Sequence, residues 1–272
     1  MRPKKSYGQH FLHERGVIER IVAAIAPRPG EHLVEIGPGE GALTLPLLDA
    51  AGHLTAIELD ADLIEPLRAR AAGIGTLEIV HADFLKCDLS RLAGAGALRL
   101  VGNLPYYVSS PILFHCLAAL PAITDMHFML QREVVERMAA TPGGKVYGRL
   151  SVMTQLACRV EPLLRVAPGA FRPPPKVESA VVRLTPLPAA VRPPRLLHGT
   201  VERVVRAAFG QRRKTLANAL RGVLEADAIA RAGVDPRLRA EALPPAAFVA
   251  LARQAVAAGL PDDSLSAHNA SQ

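Results

Sequence analysis

The chain has 272 residues, half of them apolar, and a formal charge of +7. That length can bury a sizeable core, and no run reaches the ~18 uninterrupted apolar residues that a membrane helix needs. Three scattered cysteines, Cys87, Cys116 and Cys158, argue against a disulfide framework and a zinc site and fit a reducing cytoplasm.

Taken in order, residues 1–5 are basic and lack the apolar h-region of a secretory signal. The arm over residues 6–12 carries two aromatics, Tyr7 and Phe11, which argue against a floppy terminus. Val17, Ile18, Ile21, Val22 and Ile25 follow helical spacing, and Pro27, Pro29 and Gly30 end that helix. Next come the strand 33–36, the turn Gly37-Pro38-Gly39-Glu40-Gly41-Ala42, and a helix through Leu43, Leu47 and Leu48. Strand, glycine turn and helix open a nucleotide-binding α/β unit, in which backbone approaches a ligand at a helix N-terminus.

The strand 54–57 ends in Glu58, 21 residues after Gly37, where an acid can accept both hydroxyls of a ribose. As a strand-end acid it reads as exposed, so its replacement by Ala should spare the fold. A third strand, 77–80, precedes Asp83, and a fourth, 98–101, precedes Gly102-Asn103-Leu104-Pro105-Tyr106. Any one of these acids could be an N-cap. Gly37, Glu58, Asp83 and Asn103 nevertheless stand in step past successive strand ends, where open α/β sheets bind ligands. Pro105 stops the fourth strand and keeps Leu104 out of the helical region, so the Leu104 carbonyl is left unused. The Asn103 amide oxygen, that carbonyl and the Tyr106 ring together suit the exocyclic amino group of a flat nucleobase.

A buried strand over 126–130 leads into a helix from about Glu133. Residues 159–166 and 179–184 read as a closing hairpin, and the proline-rich loop 169–176 between them should hold Phe171 in place. The composition turns to Pro and Ala at 186–194, which sets expected bounds of 1–185 for the first domain and 195–261 for a small helical one, with a disordered tail over 262–272. A helix with Thr200 as N-cap opens the second domain. Residues 186–272 carry 12 Lys/Arg against 7 Asp/Glu, and 203–224 hold six cations and no acid. A polyanionic partner should touch this part.

Gly37-x-Gly39-x-x-Ala42 satisfies a dinucleotide fingerprint, and by itself does not separate NAD from S-adenosylmethionine. Asp83 adds an acid for an adenine amino group, Pro38 removes a donor from a would-be pyrophosphate cradle, and Asn-Leu-Pro-Tyr has a use in amino methylation and none in hydride transfer. At this point the chain resembles the small-subunit ribosomal RNA adenine N6,N6-dimethyltransferases of the KsgA/RsmA type. The resemblance runs over roughly residues 6–221 and rests on 7–12, 34–39, 103–106, 125–131, 147–152, 171–177 and Arg212-Arg213-Lys214-Thr215-Leu216. Tyr7 stands where the family favours Phe.

The resemblance implies a Rossmann-like methyltransferase domain, of α/β class, with a small C-terminal helical domain. It implies S-adenosylmethionine held by His10, Leu12, the Gly37 backbone, Glu58, Asp83 and Asn103. Asn103 and Leu104 would receive an adenine amino group, Tyr106 and Phe171 would hold the flipped base between them, and Arg212, Arg213 and Lys214 on a basic helix would sit on RNA phosphates. No metal is implied. The substrate would be two adjacent adenosines near the 3′ end of small-subunit rRNA, alone or in a pre-ribosomal particle, with the enzyme a cytoplasmic monomer. A large-subunit rRNA dimethyltransferase, a DNA adenine methyltransferase and a non-enzymatic assembly factor are the alternatives.

Overall fold

The computed structural model of the chain describes residues 10–260. Tyr7 and the tail 262–272 lie outside them. The described residues divide into two compact units: one runs to Val135 and takes back Val160–Pro186, the other comprises Glu136–Arg159 and the chain from Leu187 on.

The first unit starts with β1 (Phe11–Leu12) and α1 (Arg15–Ile25). Glu14 caps α1 by accepting from the Gly16 and Val17 amides, and Val17, Ile21 and Ile25 form its buried stripe. Alternation follows: β2 (His32–Ile36), α2 (Thr44–Ala51), β3 (His53–Glu58), α3 (Ala61–Ala71), β4 (Thr76–His81), α4 (Leu89–Ala93), β5 (Leu98–Asn103), α5 (Ser109–Ala118) and β6 (Ile123–Gln131). After α6 (Arg132–Met138) and α7 (Arg149–Ala157) come β7 (Cys158–Val166), the short β8 (Phe171–Arg172) and β9 (Ser179–Pro186).

Seven strands form one sheet in the order β4-β3-β2-β5-β6-β9-β7. Pairing is parallel from β4 to β6 and antiparallel between β6 and β9. The chain winds outward from β2 through β3 to β4, then restarts at β5 on the other side of β2. That reversal leaves a crevice past the carboxyl ends of β2 and β5, the place where such sheets take ligands. At the opposite end Arg99 locks the layers: it reaches Glu31 at 2.5 Å, Asp125 at 3.0 Å and the Ile25 carbonyl at 2.7 Å.

The described end of the arm is a strand. Phe11 and Leu12 pair antiparallel with Arg172 and Phe171, and the His13 amide donates to the Ala170 carbonyl at 2.9 Å. This pairing draws Phe171 inward: its side chain is 2% exposed, in the core with Leu12, Val17, Ile21 and Met129.

In the second unit, α7 packs with α8 (His198–Gly210), α9 (Leu216–Ala219), α10 (Ala226–Arg231) and α11 (Pro245–Ala257). Its core joins Tyr147 and Val152 to Val201, Val204, Val205, Phe248 and Leu251. The buried Tyr147 hydroxyl donates to the Leu243 carbonyl at 2.8 Å, with the ring edge-on to Phe209. These contacts correct the boundary expected at residue 185. Residues 136–159 belong with the helical unit because their apolar face is buried there. Thr200 is no cap either: α8 starts two residues earlier, directly from a preceding 3-10 turn, and Thr200 is buried inside it.

Candidate active site

Past the carboxyl ends of β2, β3, β4 and β5 lies a cavity of ≈ 160 Å³. That is roughly ten times the room one water needs, so the cavity has space for a ligand of cofactor size. Its lining includes His10, Leu12, Gly37, Glu58, Asp83, Asn103, Leu104 and Tyr106. The four strand-end positions therefore converge on one space. Phe171 does not line it, and as a core residue it offers no face to a base.

The glycine turn is shaped by two needs. Gly39 has φ +58°, and a Cβ there would stand 3.1 Å from the Phe11 ring, so the turn closes directly against the arm. Gly37, at φ +65°, faces open space. Only a residue without a side chain keeps this backbone unstrained and the wall of the cavity clear.

Glu58 is 6% exposed, which overturns its reading as an exposed acid. Its Oε1 accepts from the Asp60 amide at 2.8 Å and its Oε2 from the Gly39 amide at 3.1 Å. Burial raises its pKa, and these backbone donors pull it back. The carboxylate thus ties the glycine turn to the end of β3. Each oxygen keeps a further lone pair for a ligand hydroxyl. Asp83 caps the turn that follows β4, with Oδ1 accepting from the Leu85 amide at 3.0 Å, which leaves Oδ2 for the cavity.

Glu35 was not singled out from the sequence. It is fully enclosed on β2, lines the cavity, and its Oε2 has no hydrogen-bond partner. Burial outweighs the nearby Thr44 hydroxyl, which pulls the other way, and with a smaller rise from the Glu58 charge it pushes the carboxyl up to about 7. An acid inside the apolar run Leu33-Val34-Glu35-Ile36 was the available signal. Leu59 lines the cavity as an exposed apolar side chain and was missed as well.

The turn after β5 is held from several sides. Asn103 Nδ2 donates to the His10 carbonyl at 3.1 Å, which orients the amide and frees Oδ1. The Leu104 amide donates to the Met129 carbonyl at 3.1 Å. The Tyr106 hydroxyl and Ser179 Oγ are hydrogen-bonded at 2.7 Å, and burial raises the phenol pKa. The His10 ring stacks on Tyr106 with centroids 5.8 Å apart, and its Nδ1 donates to the Pro173 carbonyl at 2.8 Å. The arm, the proline loop and the strand-end turn are thereby one assembly.

The basic run lies in the second unit and occupies a turn, not a helix: α8 ends at Gly210, and Thr215 is already extended ahead of α9. Arg212 is committed within the unit, to Glu241 at 2.9 Å and the Lys145 carbonyl at 2.5 Å. Arg213 and Lys214 are exposed. Of the three expected phosphate contacts, two are open to a partner and one is a structural tie.

A family model described as ribosomal RNA adenine dimethylase matches residues 1–255. The chain belongs to the ribosomal RNA adenine dimethylase family. As a member of that family it is a transferase, and its relatives agree. It is similar to the "Ribosomal RNA small subunit methyltransferase A" of Xanthomonas campestris pv. campestris (strain B100), 60% identical over 252 residues, 92% of this chain and 95% of that one. The protein of the same name from Xanthomonas oryzae pv. oryzae (strain PXO99A) is 59% identical over 253 residues, with 92% and 95% covered. Among solved structures, a dimethyladenosine transferase from Plasmodium falciparum superposes with a TM-score of 0.77 at 25% identity, over 89% of this chain and 96% of that one. The 23S rRNA methyltransferase ErmE gives 0.68 at 29% identity, over 90% and 99%. The dimethylase chain thus has the α/β, Rossmann-like methyltransferase fold, joined to a helical unit.

Proposed function

We propose that this chain transfers methyl groups from S-adenosylmethionine to the N6 amino groups of two adjacent adenosines near the 3′ end of small-subunit rRNA, as a cytoplasmic monomer during ribosome biogenesis. Family membership supports the reaction. The 60% identity to a protein named for the small subunit, against 29% to one named for 23S rRNA, supports the choice of RNA.

The donor set suits S-adenosylmethionine. Glu58 would take the ribose hydroxyls, Asp83 Oδ2 the adenine amino group, and the Gly37 backbone with His10, Leu12 and Asn103 the rest. The unpartnered, enclosed Glu35 oxygen favours a ligand that carries positive charge. When bound, that cofactor supplies a methyl group already activated on a sulfonium.

The chain's own task is to aim a poor nucleophile. The lone pair of an adenine amino nitrogen is delocalised into the ring. If Asn103 Oδ1 and the Leu104 carbonyl each accept one N–H, they favour a pyramidal nitrogen with its lone pair directed at the methyl group. The observation that carries this reading is the Asn103–His10 hydrogen bond, which fixes the acceptor before substrate arrives. Such preorganised polar groups contribute ~3–4 kcal/mol in other enzymes, and alignment with the donor adds to that. The target base leaves its stack to reach the cavity, with the anchored Tyr106 ring as one wall.

The test offers isotope-labelled S-adenosylmethionine with unmethylated small-subunit particles, naked large-subunit rRNA and duplex DNA, then maps products by mass spectrometry. We expect two neighbouring dimethyladenosines in small-subunit rRNA alone. Label in the other two substrates, or none anywhere, overturns the assignment.

A further inference from the structure

Among the described residues Tyr107 is the one large exposed aromatic, at 58%. It also lines the cavity. Its hydroxyl and its ring have no partner among the described residues. The neighbouring aromatics are already committed. Tyr106 has His10 stacked on its ring and Ser179 on its hydroxyl, and Phe171 is in the core. Among the described aromatics at this mouth, Tyr107 is therefore the most open to an arriving nucleic-acid strand.

Extracting a base from a strand leaves its neighbour without a stacking partner, and that loss opposes binding. An aromatic plate beside the pocket can replace the lost partner, and stacking of this kind tolerates any base because every base has a π-face. We propose that the Tyr107 ring stacks on the nucleobase flanking the target, holding the strand while Asn103 and Leu104 engage the target's amino group. The inference rests on the RNA adenine methyltransferase reading above and adds the neighbouring base to it. Where both adenosines of a pair are substrates, each would occupy the Tyr107 plate while the other is in the pocket.

The experiment uses the full chain with reconstituted small-subunit particles. In one set the target adenosine has its natural neighbour; in the other the neighbour is an abasic ribose. Methyl transfer is followed for the parent, Tyr107→Phe and Tyr107→Ala. We expect Tyr107→Ala to raise KM for particles by about ten-fold, with the loss falling mainly on KM, and Tyr107→Phe to restore the parental value. The abasic particle should raise the parent's KM by a similar factor and that of Tyr107→Ala hardly further, because the two changes remove the same contact. The thermal midpoint should not move, since Tyr107 is exposed. A parental KM for Tyr107→Ala, or abasic and Ala effects that multiply, overturns the stacking role while methyl transfer itself persists. Absence of methyl transfer by the parent is a separate result and overturns the underlying methyltransferase reading.

Discussion

At the scale of single residues, the site separates groups that hold ligand from groups that hold one another, and several do both. Asn103 uses Nδ2 on the His10 carbonyl, and in the proposed mechanism Oδ1 takes the substrate amino group. Asn103→Ala should lower kcat by roughly 100-fold or more with RNA binding retained; equal turnover by mutant and parent, in single-turnover assays, would remove Asn103 from the mechanism. Glu58 supports the glycine turn as well as facing the cavity. Glu58→Gln turns one acceptor into a donor facing a backbone N–H. It should weaken S-adenosylmethionine binding roughly ten-fold or more and also lower the thermal midpoint, with calorimetry reading both.

Glu35 carries a pH signature. Its carboxyl ionises near 4.5 when unfolded and at about 7 when folded. A raised folded pKa means the protonated form is favoured in the native state, so its stabilisation is complete below about 4.5 and is lost as pH rises to about 7. The loss is on the order of 3 kcal/mol. Glu35→Gln should therefore flatten stability against pH across this window, and should be more stable than the parent at pH 8. Denaturant titrations at pH 4.5, 6 and 8 decide it; parallel curves for the two proteins rule the effect out.

At the scale of elements, the pairing of β1 with β8 connects the arm to the Asn103–Tyr106 turn. It brings His10 to Asn103 and Tyr106, and the same pairing draws Phe171 into the core. Phe171→Ala should behave as a core deletion, costing ~3–5 kcal/mol in chemical unfolding. A stable protein with selectively raised KM for RNA would instead restore Phe171 as a base-stacking wall. The basic turn between α8 and α9 splits in the same way. Replacing Arg213 and Lys214 by Gln should flatten the log–log salt dependence of RNA affinity by about 1.4–1.8, at 0.7–0.9 per phosphate contact. Arg212→Gln should leave that slope in place and loosen the second unit, because Arg212 is held by Glu241 and Lys145. An unchanged slope in the Arg213/Lys214 double mutant would detach this turn from RNA.

For the whole molecule, the charge is divided as a methyltransferase with a polyanionic substrate would need. Residues 186–272 hold +5 of the +7, while the first unit brings the acids Glu35, Glu58 and Asp83 to its cavity. Each unit has its own apolar core, so the cavity and the basic turn can be altered separately. Much of this was readable in order along the chain. Short apolar runs located the β2–β6 strands, helical spacing located the first helix, and the ends of those runs brought Gly37, Glu58, Asp83 and Asn103 to the strand ends. These are local signals, set by backbone sterics and side-chain periodicity, and a strand end stays a strand end whatever packs on it. The tertiary structure alone decided which residues face which way. Phe171, Glu58 and Arg212 looked available from the sequence and proved committed, while Glu35 and Tyr107 looked unremarkable and proved to line the cavity. Residues 136–159 changed unit for the same reason. Burial and partnership depend on contacts between positions as far apart as His10 and Pro173, and no local pattern encodes which distant surface will cover a side chain.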